Sequence, residues 1–134
     1  MTAWPPLPHA YPFRLLDRVL MVEPGRWAVA LKLVSRDDRL AGPDGTYAPV
    51  LLAEMMAQAG GLAAAAAGAH VGVVAAIERF RCGRRVAVVA GERLIVTVRV
   101  VRRFGAAVKT HAAVHAGRRR CAAAEVVLSM QGSA

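Results

Sequence analysis

Glu54 and Gln58 stand four residues apart in VLLAEMMAQAGGLAAAAA, residues 50–67, where they are the only polar side chains. On a helix that spacing puts them on one face, one turn above the other. A carboxylate inside an apolar helix has to be paired, opened onto a groove or put to use, because desolvating it alone costs several kcal/mol. The chemistry within its reach is proton transfer, with Glu54 as acid or base. Gln58 suits either a hydrogen bond to a neighbouring strand or subunit or a contact to substrate.

Other side chains narrow the choices. His9 follows a proline, a setting in which a histidine commonly ties an arm to backbone carbonyls. His111 and His115 would be roughly 13 Å apart on a strand, too far to share one ion, so no metal is expected. Cys82 and Cys121 lack metal-type spacing and read as reduced thiols of a cytosolic protein. Arg79, Arg81, Arg84 and Arg85, with Arg102 and Arg103, form basic clusters at strand ends. They suit docking of an acidic partner or its phosphate, or a plain solvated rim. Nucleic acid is disfavoured, because only Phe80 and Phe104 lie near these clusters to stack on bases.

At 134 residues with 56% hydrophobic and 5% aromatic content, the chain suits one domain, 1–134, with a core of Ala, Val and Leu. The net charge of +9 favours an acidic partner. No basic-then-apolar leader is evident, and the Ala- and Gly-rich run at 59–77 is broken by His70, so neither secretion nor a spanning helix is expected.

Residues 1–13 carry four prolines and read as an extended arm. Residues 16–22 predict a strand, and Glu23-Pro24-Gly25-Arg26 a type II turn. In the strand that follows, Trp27, Val29, Leu31 and Leu33 share one face and Ala28, Ala30 and Lys32 the other. The polar stretch 36–45 is a surface loop. Thr46 is placed to cap the helix, Pro49 fits its first turn, and Gly68 would end it after about Ala67. Gly60 and Gly61 imply something packed too closely for a side chain. Strands are predicted at 71–81, 93–103, 107–116 and 120–130, with turns at Phe104-Gly105 and Ala116-Gly117. In 107–116, Val108, Thr110, Ala112 and Val114 share one face, and Lys109, His111 and His115 the other. A helix apolar nearly all round must be wrapped. The implied class is α+β, a curved antiparallel sheet of about six strands around one long central helix: the hot-dog architecture.

LPHAYPFRLLDRVLMVEPG at 7–25, LLAEMMAQAGG at 51–61 and IERFRCGRRVAVVAGERLIV at 77–96 resemble the hot-dog (3R)-hydroxyacyl-[acyl carrier protein] dehydratases of fatty-acid synthesis, over about residues 7–130. Dehydratase-like subunits of pigment and polyene pathways share the first two blocks. The resemblance implies a homodimer or larger assembly with tunnels at the dimer interface, no cofactor, and an acyl carrier protein or CoA thioester as substrate. It implies loss of water from a 3-hydroxyacyl thioester, with a histidine and a carboxylate from opposite subunits sharing the acid and base work. Glu54 matches the family carboxylate and Gln58 its glutamine. The family's catalytic histidine lies in a GHFPG-type loop before the helix; here the region reads RLAGPDGTYAP, with no histidine between His9 and His70. Pro49 replaces the glycine whose N–H faces the thioester carbonyl, leaving the Val50 amide to serve. His9 could replace the missing imidazole if its arm reaches a partner's tunnel. The rival readings are an acyl-thioesterase, in which one helix carboxylate activates water, and a non-catalytic subunit paired with an active hot-dog dehydratase.

Overall fold

The computed structural model describes residues 15–65, 69–82 and 86–132. β1 (Arg18–Glu23) and β2 (Trp27–Leu33) form an antiparallel hairpin. At its turn Gly25 has φ 85°, and the Arg26 N–H donates to the Glu23 carbonyl at 2.9 Å, as the type II reading requires. After the loop come β3 (Thr46–Tyr47), α1 (Pro49–Ala64), β4 (Ala69–Cys82), β5 (Val86–Ala87), β6 (Arg93–Phe104), β7 (Ala107–Ala116) and β8 (Arg119–Gly132). Six strands pair antiparallel in the order β1-β2-β6-β7-β8-β4, while β3 and β5 make a separate short ladder.

The helix lies against one face of that sheet and is buried on most sides, through Leu52, Met55, Met56, Ala59, Leu62, Ala63 and their neighbours. The sheet meets it with small side chains: Ala28, Ala30, Ala112, Ala122 and Ala124 are all buried. Gly60 is the point of closest approach, since a Cβ there would stand 3.1 Å from Leu128 Cδ1. Gly61 faces open space, so close packing accounts for only one of the two glycines. The architecture is the expected hot-dog fold.

Of the two faces of β2, the one with Ala28 and Ala30 points to the helix, with Trp27 and Val29 half-buried and Leu33 exposed. Two local expectations are corrected. Thr46 is taken up by β3, and the helix starts from Ala48 without a side-chain cap. The helix ends at Ala64, where the Gly25 N–H donates to the Ala63 carbonyl at 2.8 Å and Arg103 to the Ala64 carbonyl at 3.0 Å. These donors do what a terminal glycine cap would have done. The 36–45 loop is pinned from inside: the fully buried Tyr47 hydroxyl donates to Asp38, which also faces Lys32. Burial and then Asp38 raise the Tyr47 phenol far above its ordinary range.

Candidate active site

Glu54 occupies the half-buried flank of α1, one turn before the almost fully buried Gln58. The Gln58 amide is held from both ends. Its Oε1 accepts from the Leu15 N–H at 2.9 Å, and its Nε2 donates to Glu54 Oε1 at 3.2 Å. Because Leu15 requires an acceptor, the carboxamide must present its NH2 to the carboxylate, and Gln58 becomes a positioning residue for Glu54. The Leu15 end of this relay is backbone, so no side-chain pattern announces it.

Pro49 fills the first helical position, so the first amide hydrogen that the helix presents is that of Val50, whose side chain is 70% exposed. A donor at this end of the helix suits a polarised carbonyl or developing oxyanion.

The predicted residues do not all converge. His9, Arg84 and Arg85 lie outside the described residues. Arg81 sits opposite Ala123, which pairs with Ala113, whereas Arg103 sits opposite Val108. Ala113 and Val108 are five residues apart on β7, so Arg81 and Arg103 are separated by roughly 17 Å along the strands at about 3.4 Å per residue. Arg102 lies over the half-exposed Phe104 ring, 5.1 Å from its centre. Arg103 therefore marks the C-terminal end of the helix, ten residues or roughly 15 Å from Glu54, whereas Arg102, opposite Lys109, belongs to the outer face of the sheet.

His111 and His115 stand on the sheet face turned away from the helix, as the β7 alternation predicts. The sequence reading gave His111 no partner, yet its Nε2 is 2.9 Å from Oε1 of the buried Glu125. The Lys109 ammonium, 2.9 Å from the other carboxylate oxygen, does most to hold the Glu125 carboxyl below the usual range. The cue in the sequence is a lone glutamate in the apolar run AAAEVVL, but naming its partners requires the register between β7 and β8. Among the described residues, no group of His, Cys, Asp and Glu could hold a metal ion. Cys82 and Cys121 are free, and burial, then Cys121, push the Cys82 thiol up, which makes it a poor nucleophile at neutral pH.

The comparisons with known proteins agree with this fold. No protein-family model matches the chain. The 3-hydroxyacyl-[acyl-carrier-protein] dehydratase FabZ of Pelotomaculum thermopropionicum is 36% identical over 132 residues, covering 93% of each chain. This chain belongs to the FabZ dehydratase family. The FabZ of Desulforamulus reducens is 34% identical over 131 residues, covering 92% of this chain and 91% of its own. Among solved structures, the dehydratase heterocomplex ApeI:P from Xenorhabdus doucetiae superposes with a TM-score of 0.77 at 19% identity, over 95% of this chain and 89% of that one. At that identity it speaks for the fold alone. The loop before the helix contains no histidine, since none stands between His9 and His70.

Proposed function

We propose that this chain is a 3-hydroxyacyl-thioester dehydratase, a hydro-lyase of fatty-acid or polyketide/polyene-type metabolism, with Glu54 as one acid/base group. The observation that carries the reading is the Leu15–Gln58–Glu54 relay: a half-buried helix carboxylate aimed by a buried amide, in a member of the FabZ family. Glu54 takes a proton from C2 or returns one to the departing C3 hydroxyl. The Val50 amide at the helix start faces the thioester carbonyl as negative charge develops on it.

Elimination calls for a second proton-transfer group. Among the described residues the histidines with placed side chains, His111 and His115, are on the far side of the sheet from the helix. His9 in the arm and a histidine of another subunit are the candidates for that group. A second subunit also has a place to bind. β4 is an edge strand with Val73, Val74 and Ile77 all at least 40% exposed, an apolar edge suited to pairing with another chain. The same features favour a second reading, in which the chain pairs with a different hot-dog subunit that brings the histidine. An acyl carrier protein or CoA thioester is the substrate, and the end of β6 that carries Arg102 and Arg103 is the place for an acidic carrier to dock. No helix among the described residues is long and apolar enough to cross a membrane.

The test is enoyl formation from 3-hydroxybutyryl thioesters, on carrier protein and on CoA, followed spectroscopically. The purified chain should turn over, Glu54→Gln should lose about 10²- to 10⁴-fold, and His9→Ala should fall with it if the arm supplies the imidazole. Activity only with a second hot-dog subunit, insensitive to His9→Ala, selects the paired reading. Release of free thiol from acyl thioesters without enoyl formation would replace both with the thioesterase.

A further inference from the structure

The cavity of about 410 Å³ in this structure opens on the outer face of the sheet, away from the helix and from Glu54. Its floor follows from the register. One row across the strands reads Val29, Thr97, Ala113, Ala123, and ends at Arg81 on the edge strand β4. The next row reads Trp27, Arg99, His111, Glu125 and Glu78. Small side chains at the centre of the first row leave a trough, and long charged ones around it supply the walls.

The walls are cationic. Arg79, Arg81, Arg99 and Arg120 line the trough with His111, against the single carboxylate Glu125. That carboxylate is already engaged by Lys109 at 2.9 Å, His111 at 2.9 Å and Arg79 at 3.6 Å. Among the described residues, Arg81, Arg99 and Arg120 have no carboxylate partner. Three guanidinium groups from three strands therefore face one depression with their charge uncompensated.

The backbone is bent to arrange this. β4 carries a bulge between Glu78 and Arg81, and Arg79 there has φ 52°, a conformation that non-glycine residues rarely adopt. In a regular strand, Arg79 and Arg81 would share a face opposite to Glu78. The extra residue turns Phe80 toward the core and brings both arginines to the outer face with Glu78. The bulge thus adds Arg81 to the face that already carries Arg99 and Arg120.

We propose that this trough is a second site, on the opposite face from Glu54, that binds a small phosphate-bearing molecule through Arg81, Arg99 and Arg120. Guanidinium forks suit the oxygens of phosphate, and a doubly charged anion matches the uncompensated charge better than a monovalent one. Such a ligand would bridge β6, β8 and the edge strand β4. Occupancy would firm the edge that a second subunit is proposed to use.

The test is titration of the full-length protein with pyrophosphate, by calorimetry and thermal shift, against sodium chloride at matched ionic strength. The expected result is saturable binding with a rise in Tm. Affinity should fall at least tenfold in Arg99→Gln and in the Arg81→Gln/Arg120→Gln double variant, and stay within twofold in Arg102→Gln, which lies outside the trough. Glu125→Gln, by freeing Lys109, His111 and Arg79, should tighten binding. Absence of saturation, or equal loss in Arg102→Gln, would overturn the site. So would a change of oligomeric state in the arginine variants without any effect of pyrophosphate, which would make the trough a contact between copies. Dehydratase turnover is read separately and is not needed for any of these outcomes.

Discussion

Glu54 and Glu125 are both glutamates set among apolar residues, one on the helix and one on the outer face of the sheet. Glu54 is half-buried and accepts from the Gln58 amide, itself fixed by the Leu15 backbone. Glu125 is buried on the outer face of the sheet within reach of a lysine, a histidine and an arginine. A carboxylate surrounded by cations is stabilised as the anion and is poorly suited to accept a proton near neutral pH. Glu125 is therefore arranged to hold charge in place, whereas Glu54 is aimed by a hydrogen bond from the helix turn that follows it.

The comparison can be broken at either end. Gln58→Leu should have the largest effect on stability. It leaves the buried Leu15 N–H without its acceptor, a loss of about 1–3 kcal/mol, measurable by urea unfolding, and it should lower turnover because Glu54 is no longer aimed. If unfolding and turnover were both unchanged, the relay would be incidental.

At the other end, Glu125→Gln should lower Tm at pH 7. The folded-state pKa of Glu125 lies below its ordinary 4.5, so its stabilisation is present above that value and is lost as pH falls through the folded pKa. The Tm gap between wild type and Glu125→Gln should therefore close in acid. A gap independent of pH would mean that packing, and not charge, sets the effect.

Tyr47→Phe sharpens the contrast with a group shifted the other way. The raised phenol pKa stabilises the folded state below about 10, and that contribution is lost as pH rises above it. The variant should cost about 1 kcal/mol at pH 7 and should be less sensitive than wild type to unfolding at pH 10–11. The smallest effect belongs to Gly61→Ala, which fills open space on the helix and should add about 0.5–1 kcal/mol. Gly60→Ala has to displace Leu128 and should show less gain or a loss.

What could be read from the sequence was what repeats. The two-residue alternation of Val108, Thr110, Ala112 and Val114 placed β7 at its observed bounds and assigned His111 and His115 to the outer face. The apolar run with its two polar residues located the helix, and family-like blocks tied Glu54 and Gln58 to chemistry. What could not be read depends on register and irregularity. The β4 bulge moves Arg79 and Arg81 to a face that simple alternation denies them, and the register sets Arg81 five residues along the strands from Arg103. In β2, alternation separates the two faces but does not say which is buried; the close helix selects Ala28 and Ala30. The Gln58 partner is a backbone amide 43 residues away, which composition and spacing cannot indicate.

The most direct test of the central claim is the hydration of trans-2-butenoyl thioester, measured together with Tm for wild type, Glu54→Gln and Glu125→Gln. The account predicts that Glu54→Gln keeps the wild-type Tm and loses the reaction, while Glu125→Gln keeps the reaction and loses Tm. Hydration at the wild-type rate by Glu54→Gln would contradict it.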